Sequence, residues 1–216
     1  MTAKAFFIWI GVAIALIAVL FFAAMFLFVR PSRGERIASY PSPRAALVVI
    51  DIQQDYTGPQ ARKRYRDGDK IVTASNALIA QARARGDLVV FIRNEIDNFL
   101  IATMFDHINA PGTPGAQLDR RLAQSAADRT FVKHRPDSFS NAEFDAFLRE
   151  HQVDRLMITG LDAAYCVNAT TRGALNRGYK VTLYREAIAT ESGKSIDELA
   201  RGWRDAGAQV RADLAL

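Results

Sequence analysis

The sequence predicts an α/β fold, a three-layer sandwich with a mostly parallel sheet of about six strands, preceded by one N-terminal transmembrane helix. An uncharged apolar run opens the chain. After it, short apolar segments alternate with longer segments of helical periodicity, which is typical of βαβ units with helices on both faces of a parallel sheet. The chain has 216 residues, half of them hydrophobic and 24% charged, enough for one folded domain and an additional segment.

The opening segment, residues 5–29, contains no charged side chain. As a helix it would be about 37 Å long, enough to cross the ~30 Å hydrocarbon layer of a bilayer. A cleaved signal peptide is the alternative, but its apolar region runs over only about 7–15 residues and ends at a small-residue cleavage site. We therefore expect an uncleaved anchor, because the run is longer and ends in "FLFVRPS".

Basic residues are more numerous after this segment than before it. Only Lys4 precedes it, whereas four arginines follow: Arg30, Arg33, Arg36 and Arg44. The positive-inside rule then predicts a single-pass membrane protein whose domain faces the cytoplasm. A single cysteine agrees with a reducing compartment, since it excludes an internal disulfide. Residues 30–43 are rich in proline and serine and are interpreted as a polar, irregular linker to a domain over 44–216.

The elements of this domain follow one another in regular order. Strands are predicted over 45–51, 87–93, 130–134, 155–160, 180–186 and 208–212, the last at a sheet edge, and helices over 69–86, 141–152, 165–178 and 195–207. The strand segments are short and mostly apolar, whereas the helical segments have apolar residues at helical spacing. Active sites of such sheets lie at the carboxyl ends of the strands. Functional residues are therefore expected just after residues 51, 93, 133, 160 and 186.

Several function classes are not expected. The segment "DIQQDYTGPQ" follows the first strand where a dinucleotide site would have G-x-G-x-x-G. The net charge of +5 comes mostly from arginines spread along the chain, and no zinc-finger or helix-turn-helix signature occurs, so nucleic-acid binding is not expected. His107, His134 and His151 lack ligand spacing. We expect neither a metal nor a cofactor.

Reactive side chains follow three of the predicted strands: Asp51, Lys133 and the lone Cys166. A cysteine at a helix N-terminus has its thiol pKa lowered by the helix dipole, and a neighbouring ammonium lowers it further. An aspartate beside it can accept the thiol proton and later activate water. Each residue alone has an ordinary structural interpretation, as a buried small side chain, a turn cap and a solvated lysine. Their common position at one sheet edge favours a cysteine hydrolase.

The sequence resembles the isochorismatase-like cysteine hydrolases, which include nicotinamidases and N-carbamoylsarcosine amidases. The resemblance covers residues 44–212 and rests on "ALVVIDIQQDYTG", "VVFIRNE", "PGTPGAQLDRRL" and the stretch 131–190. It implies a Rossmann-like fold and a catalytic triad of Asp51, Lys133 and Cys166. It also implies a cis peptide between Leu161 and Asp162, an oxyanion hole made by the backbone N–H groups of Asp162 and Cys166, and a homo-oligomer.

The sequence departs from the family pattern at two places. Metal-binding nicotinamidases carry Asp-x-His after the first strand, but no histidine lies between Asp51 and Asp87, so neither that metal site nor nicotinamidase activity is expected. The segment "GLDAAYC" differs from the commoner form with threonine and aspartate before the cysteine. Asp162 and Tyr165 are therefore expected to change the pocket floor.

Side chains of the loops at this edge are the candidates for contact with a small-molecule substrate: Gln53, Tyr56, Arg93, Phe139 and Tyr165. Each is also open to a structural role, since polar loop residues cap turns. The expected reaction is thiolate attack on a small amide or related carbonyl, and so hydrolysis of a C–N bond other than a peptide bond. A catalytically silent, membrane-held binding domain and a hydrolase of an enol ether or ester are the alternatives.

Overall fold

The computed structural model describes residues 3–216, with side chains from Phe7 onward, and separates into two units. The first unit ends at Arg30 and contains helix α1, Ala3–Val29. Within the described residues, Phe7–Val29 is the one helix segment that is long and apolar enough to cross a membrane. A signal sequence near an N-terminus can have the same length and composition.

The second unit, Pro31–Leu216, contains a six-stranded sheet in the order β3-β2-β1-β4-β5-β6. All neighbouring strands are parallel. The strands are β1 (Arg44–Ile50), β2 (Leu88–Asn94), β3 (Arg129–Lys133), β4 (Val153–Gly160), β5 (Lys180–Ile188) and β6 (Gln209–Arg211). The helices are α2 (Gln54–Thr57), α3 (Gly68–Ala84), α4 (Phe99–Met104), α5 (Ala142–Glu150), α6 (Cys166–Asn176) and α7 (Ile196–Asp205).

The central strand β1 contributes to two hydrophobic cores, one on each face of the sheet. Ala46, Val48 and Ile50 belong to the core that includes Phe144 of α5 and Trp203 of α7. The alternate residues Ala45, Leu47 and Val49 belong to the core formed with α3. Because successive strand residues point to opposite faces, a strand covered on both sides must be apolar throughout. The predicted three-layer α/β fold is confirmed.

All ten predicted elements are present, with ends within two residues of the predicted ones, and β6 lies at the edge of the sheet. The short helices α2 and α4, of four and six residues, were not predicted. Neither is long enough to show the apolar repeat by which a helix is recognised in a sequence.

The segment that follows α1 is the first part of the second unit and lies against the C-terminal end of α6. Residues 31–43, all of which the structure describes, contain neither helix nor strand. The N–H of Ile37 nevertheless donates to Arg177 O at 2.8 Å, and the Ile37 side chain packs against the core that contains Phe144. We call residues 31–40 the strap.

Candidate active site

Three elements bring the predicted reactive side chains together. Asp51 directly follows β1, Lys133 is the last residue of β3, and Cys166 is the first residue of α6, just beyond β4. The Lys133 Nζ lies 2.8 Å from Asp51 Oδ2 and 3.2 Å from Cys166 Sγ. Since β2 separates β3 from β1 in the sheet, the long lysine side chain is what connects the two strand ends.

The ion pair between Asp51 and Lys133 is shielded from water, with side-chain exposures of 3% and 0%. Burial raises the pKa of Asp51, although the positive charge of Lys133 opposes this effect. Burial alone would lower the pKa of Lys133, but the negative charge of Asp51 and the hydrogen bonds that the ammonium donates to Asp51 and Cys166 outweigh it, and the pKa of Lys133 is raised. The lysine is therefore held as an ammonium, and Asp51 is a stronger base than an exposed aspartate.

The thiol of Cys166 differs from expectation. Burial of the sulfur raises its pKa to about 12, and the negative charge of Asp51 adds to this, while Lys133 acts in the opposite direction. The sequence led us to expect a lowered thiol pKa because a lysine and a helix N-terminus both lower it. That expectation did not include burial of the sulfur or the charge of the Asp51 carboxylate, which both raise it. The expected lowered pKa is therefore wrong, and Cys166 is a neutral thiol at neutral pH.

Asp51 has two unusual features. Its Oδ1 is buried and has no hydrogen-bond partner among the described residues. Its backbone has a φ of 54°, in the left-handed region that few non-glycine residues adopt. Buried unpaired polar atoms and unfavourable backbone angles persist where the surrounding structure enforces them, and they are concentrated at functional sites. The free oxygen leaves Asp51 able to accept a proton.

The expected cis peptide between Leu161 and Asp162 is not present, because all peptide bonds of the described residues are trans. A trans bond avoids the cost of about 3–4 kcal/mol of a non-proline cis bond. The chain instead turns at Gly160, whose φ is 123°, and Leu161 N–H donates to Ile50 O at 2.9 Å. A Cβ at residue 160 would overlap Ile50 O, so glycine is required where β4 meets the end of β1.

The side chain of Asp162 fixes the turn that leads to Cys166. Its Oδ1 accepts the Ala164 N–H at 2.7 Å and the Thr190 hydroxyl at 3.0 Å. Its Oδ2 accepts the Glu191 N–H at 2.9 Å and the Tyr65 hydroxyl at 3.1 Å. The sequence led us to expect that Asp162 acts through its backbone and alters the pocket floor. In addition, its carboxylate ties four groups together, a role that the sequence did not indicate.

Two of the predicted substrate-binding residues lie inside the fold. The amide of Gln53 is fully buried and is hydrogen-bonded to the backbone of Asn94 and Ala116. Phe139 is 4% exposed, and its ring packs beneath the Arg177 guanidinium, 4.6 Å from the ring centroid. Both side chains therefore have structural roles, Gln53 by hydrogen bonding and Phe139 by packing.

The other three lie at the sheet edge. Arg93 is paired with Glu95 at 3.0 Å, and so has a structural role of the kind that the sequence leaves open. Tyr56 is half-buried, and its ring packs against that of Tyr65, with 5.6 Å between the ring centroids. Burial raises the pKa of its hydroxyl, and the negative charge of Asp51 adds to this effect. Tyr165 directly precedes Cys166 and is 60% exposed. Tyr56 and Tyr165 are the candidates best placed to contact a substrate.

Metal ligands are not grouped in the part of the chain that the structure describes: no three His, Cys, Asp or Glu side chains are arranged to hold an ion. The Cys166 sulfur lies beside the Lys133 ammonium, which is itself paired with the Asp51 carboxylate. This donor set suits proton transfer and charge stabilisation.

Comparisons with known proteins give a consistent result. A sequence model of the isochorismatase domain matches residues 45–212. YddQ of Bacillus subtilis (strain 168), an uncharacterized isochorismatase family protein, is 27% identical over 71% of this chain and 82% of its own. A streptothricin hydrolase of Streptomyces noursei is 30% identical over 68% of this chain, but the match spans only 55% of that protein. The N-carbamoylsarcosine amidase of Thermoplasma acidophilum superposes with a TM-score of 0.71 at 25% identity, covering 78% of this chain and 95% of that one.

Proposed function

The chain belongs to the isochorismatase family of hydrolases, and on that premise we propose that it is a cysteine amidohydrolase for a small amide or related carbonyl compound. The observation that carries this proposal is the position of Lys133 Nζ, within 3.2 Å of Cys166 Sγ and 2.8 Å of Asp51 Oδ2. A nucleophile, a base and a fixed positive charge are thereby within reach of one reacting carbon. The amidase and the hydrolase among the similar proteins support a C–N bond as the target.

The proposed reaction begins from a neutral thiol. As the sulfur of Cys166 attacks the substrate carbonyl, its proton passes to Asp51, whose raised pKa suits it to accept one. Protonated Asp51 then gives this proton to the departing amine as the C–N bond breaks, leaving a thioester. Water attacks the thioester after losing a proton to Asp51, and the acid is released while the thiol regains its proton.

Lys133 and the start of α6 are assigned the charge that develops in these steps. The ammonium stabilises the sulfur as it becomes thiolate and favours the ionised form of Asp51. The N–H of Cys166 lies at the first position of α6, where backbone donors have no acceptor within the helix. With the N–H of Asp162, it is the proposed donor pair for the oxyanion.

Replacement of the nucleophile tests this mechanism. We expect Cys166→Ala and Cys166→Ser to reduce ammonia release from a panel of small amides by about a thousandfold or more while thermal unfolding changes little. Mass spectrometry of wild-type protein quenched during turnover should show an acyl adduct on Cys166. Full activity in either variant would contradict covalent catalysis. A wild-type protein that cleaves no amide and forms no adduct would favour the silent binding domain instead.

We also propose that α1 is a membrane anchor and that the second unit faces the cytoplasm. The length and composition of Phe7–Val29 and the arginines that follow it support this arrangement. Reporter fusions after Leu216 test it: a cytoplasmic fluorescent protein should be active there and a periplasmic phosphatase inactive. The opposite pattern would reverse the topology, and a shortened mature chain lacking α1 would indicate a signal sequence.

A homo-oligomer is proposed for the second unit. Its exposed large hydrophobic side chains lie in or beside α4 and next to the nucleophile: Phe99, Leu100, Met104, Phe105 and Tyr165. Clustered exposed apolar side chains commonly mark interaction surfaces. Light scattering in detergent should give a mass above that of one chain, and Phe99→Ser with Met104→Ser should reduce it. An unchanged mass would exclude this surface.

A further inference from the structure

The strap has no counterpart in the family match, which begins at residue 45. It is nevertheless hydrogen-bonded to buried groups of the hydrolase. Both the N–H and the hydroxyl of Ser32 donate to Asp137 Oδ2, each at 2.6 Å. Two helix-end side chains bind the same residue, since Asn176 Nδ2 donates to Ser32 O and Arg177 Nη1 donates to Ser32 O and Oγ.

Asp137 lies where three parts of the active-site framework meet. It follows Lys133 by four residues and is 2% exposed. Its Oδ1 accepts the Phe139 N–H at 2.9 Å, which fixes the turn after Lys133. Its Oδ2 lies so close to α6 that a Cβ added at Gly173 would be 2.5 Å away. The same turn is joined to α6 through Ser138, whose N–H and hydroxyl both bind Thr170 Oγ1, at 3.0 and 2.9 Å.

Ser32→Ala would remove the hydroxyl, one of the two groups that donate to the buried Asp137 Oδ2, and leave only the backbone N–H. A buried carboxylate oxygen that loses a donor is destabilised, so the Asp137 side chain would have to move or take up a proton. Either change acts on the turn that begins after Lys133 and on the helix that begins at Cys166. The contact of Lys133 Nζ with Cys166 Sγ depends on the position of both.

From these contacts we propose that the strap is a positioning element of the active site. By binding Asp137, Ser32 holds the turn that follows Lys133 against α6 and so keeps the lysine at the sulfur of Cys166. Ser32 and Asp137 are positioning residues, since neither touches the reacting groups. The effect on catalysis rests on the proposed function. The claim that Ser32 holds the turn after Lys133 against α6 does not depend on it.

The test compares Ser32→Ala with Ser39→Ala in the full chain in detergent. Ser39 is an exposed serine of the same strap and serves as the matched control. Hydrogen–deuterium exchange of residues 134–141 and 166–173 should become about threefold to tenfold faster in Ser32→Ala and stay unchanged in Ser39→Ala. This is the effect expected from losing the hydrogen bond between the Ser32 hydroxyl and the Asp137 carboxylate. Ser32→Thr keeps both donors and should restore protection. Faster exchange confined to residues 31–40, or none at all, would overturn the proposal.

A second readout separates positioning from simple stability. Alkylation of Cys166 by iodoacetamide at pH 8.5 should be about threefold slower or more in Ser32→Ala, because a displaced Lys133 no longer lowers the thiol pKa. With an amide that the wild type cleaves, kcat should fall while KM stays constant. A lowered unfolding temperature with unchanged alkylation would overturn the proposal. If the wild type cleaves no amide, the proposed function fails, while the exchange and alkylation results still decide the role of the strap.

Discussion

Lys133 and Asp51 form a buried ion pair, with 2.8 Å between Nζ and Oδ2 and almost no exposure of either side chain. Removing two charges from water costs about as much as their attraction returns, so a buried pair is weak support for stability alone. Breaking it is different, because one charge is then left uncompensated. The pair is therefore best tested by removing one partner and then both.

Lys133→Met should lower the free energy of unfolding by about 3–5 kcal/mol near neutral pH, because the Asp51 carboxylate loses its buried counter-ion. The double variant Asp51→Asn/Lys133→Met should recover most of that loss. Thermal unfolding of wild type, Lys133→Met, Asp51→Asn and the double variant gives the interaction free energy between the two side chains. A double variant as unstable as Lys133→Met would show that the lysine acts through packing.

Asp51→Asn should separate thiol reactivity from turnover. The negative charge of Asp51 is one cause of the raised Cys166 pKa, so its removal should lower that pKa and speed alkylation at pH 8, about tenfold for a pKa lower by one. Hydrolysis should fall by about 10²–10⁴, because the general base is lost. Asp97→Asn removes an exposed carboxylate and serves as the control. Slower alkylation, or hydrolysis that persists, would assign the base elsewhere.

Gly160→Ala should be among the most harmful single substitutions at the sheet. The new Cβ would overlap Ile50 O, and the φ of 123° is unfavourable for any other residue. A loss of more than about 3 kcal/mol in unfolding free energy is expected. Gly202→Ala on α7 is the matched control, since its Cβ meets nothing within 4 Å in the described structure. Equal effects of the two substitutions would contradict the close contact at β1.

Asp137 should make stability depend on pH. Burial raises its pKa above the ordinary value of 3.8, so between the two pKa values the folded state holds a proton that the unfolded state has lost. The stability that this bound proton gives to the folded state is fully present below about pH 3.8. It is lost as the pH rises from 3.8 to the raised pKa, at about 1.4 kcal/mol per pH unit. Asp137→Asn should therefore gain stability relative to wild type as the pH rises above about 3.8, measured by thermal unfolding at a series of pH values. A difference that is constant with pH would contradict this.

The sequence was informative where the physics is local or periodic. The apolar segments predicted the strands because β1 is covered on both faces, and their ends located Asp51, Lys133 and Cys166. The direction of the Cys166 pKa was missed because desolvation depends on what the fold places around the sulfur. The four partners of Asp162 were missed for a similar reason, since Tyr65 and Thr190 come from distant parts of the chain.

The strap shows the same limit. Its prolines and serines are typical of a linker, and nothing in its composition indicates a partner. The contact of Ser32 with Asp137 joins residues 105 positions apart in the chain. It depends on a carboxylate whose burial becomes evident only in the folded structure.

The strap also bears on what cleavage from the proposed membrane anchor would mean for the hydrolase. Residues 41–43 are exposed and lie between the strap and β1, in the kind of segment that proteases cut. A cut there would leave Ser32 on the N-terminal fragment with α1, while the freed hydrolase would keep Asp137 without a covalently held partner. Shedding would then also weaken the enzyme, and a soluble version intended to match the native protein should begin at Pro31 rather than at Arg44.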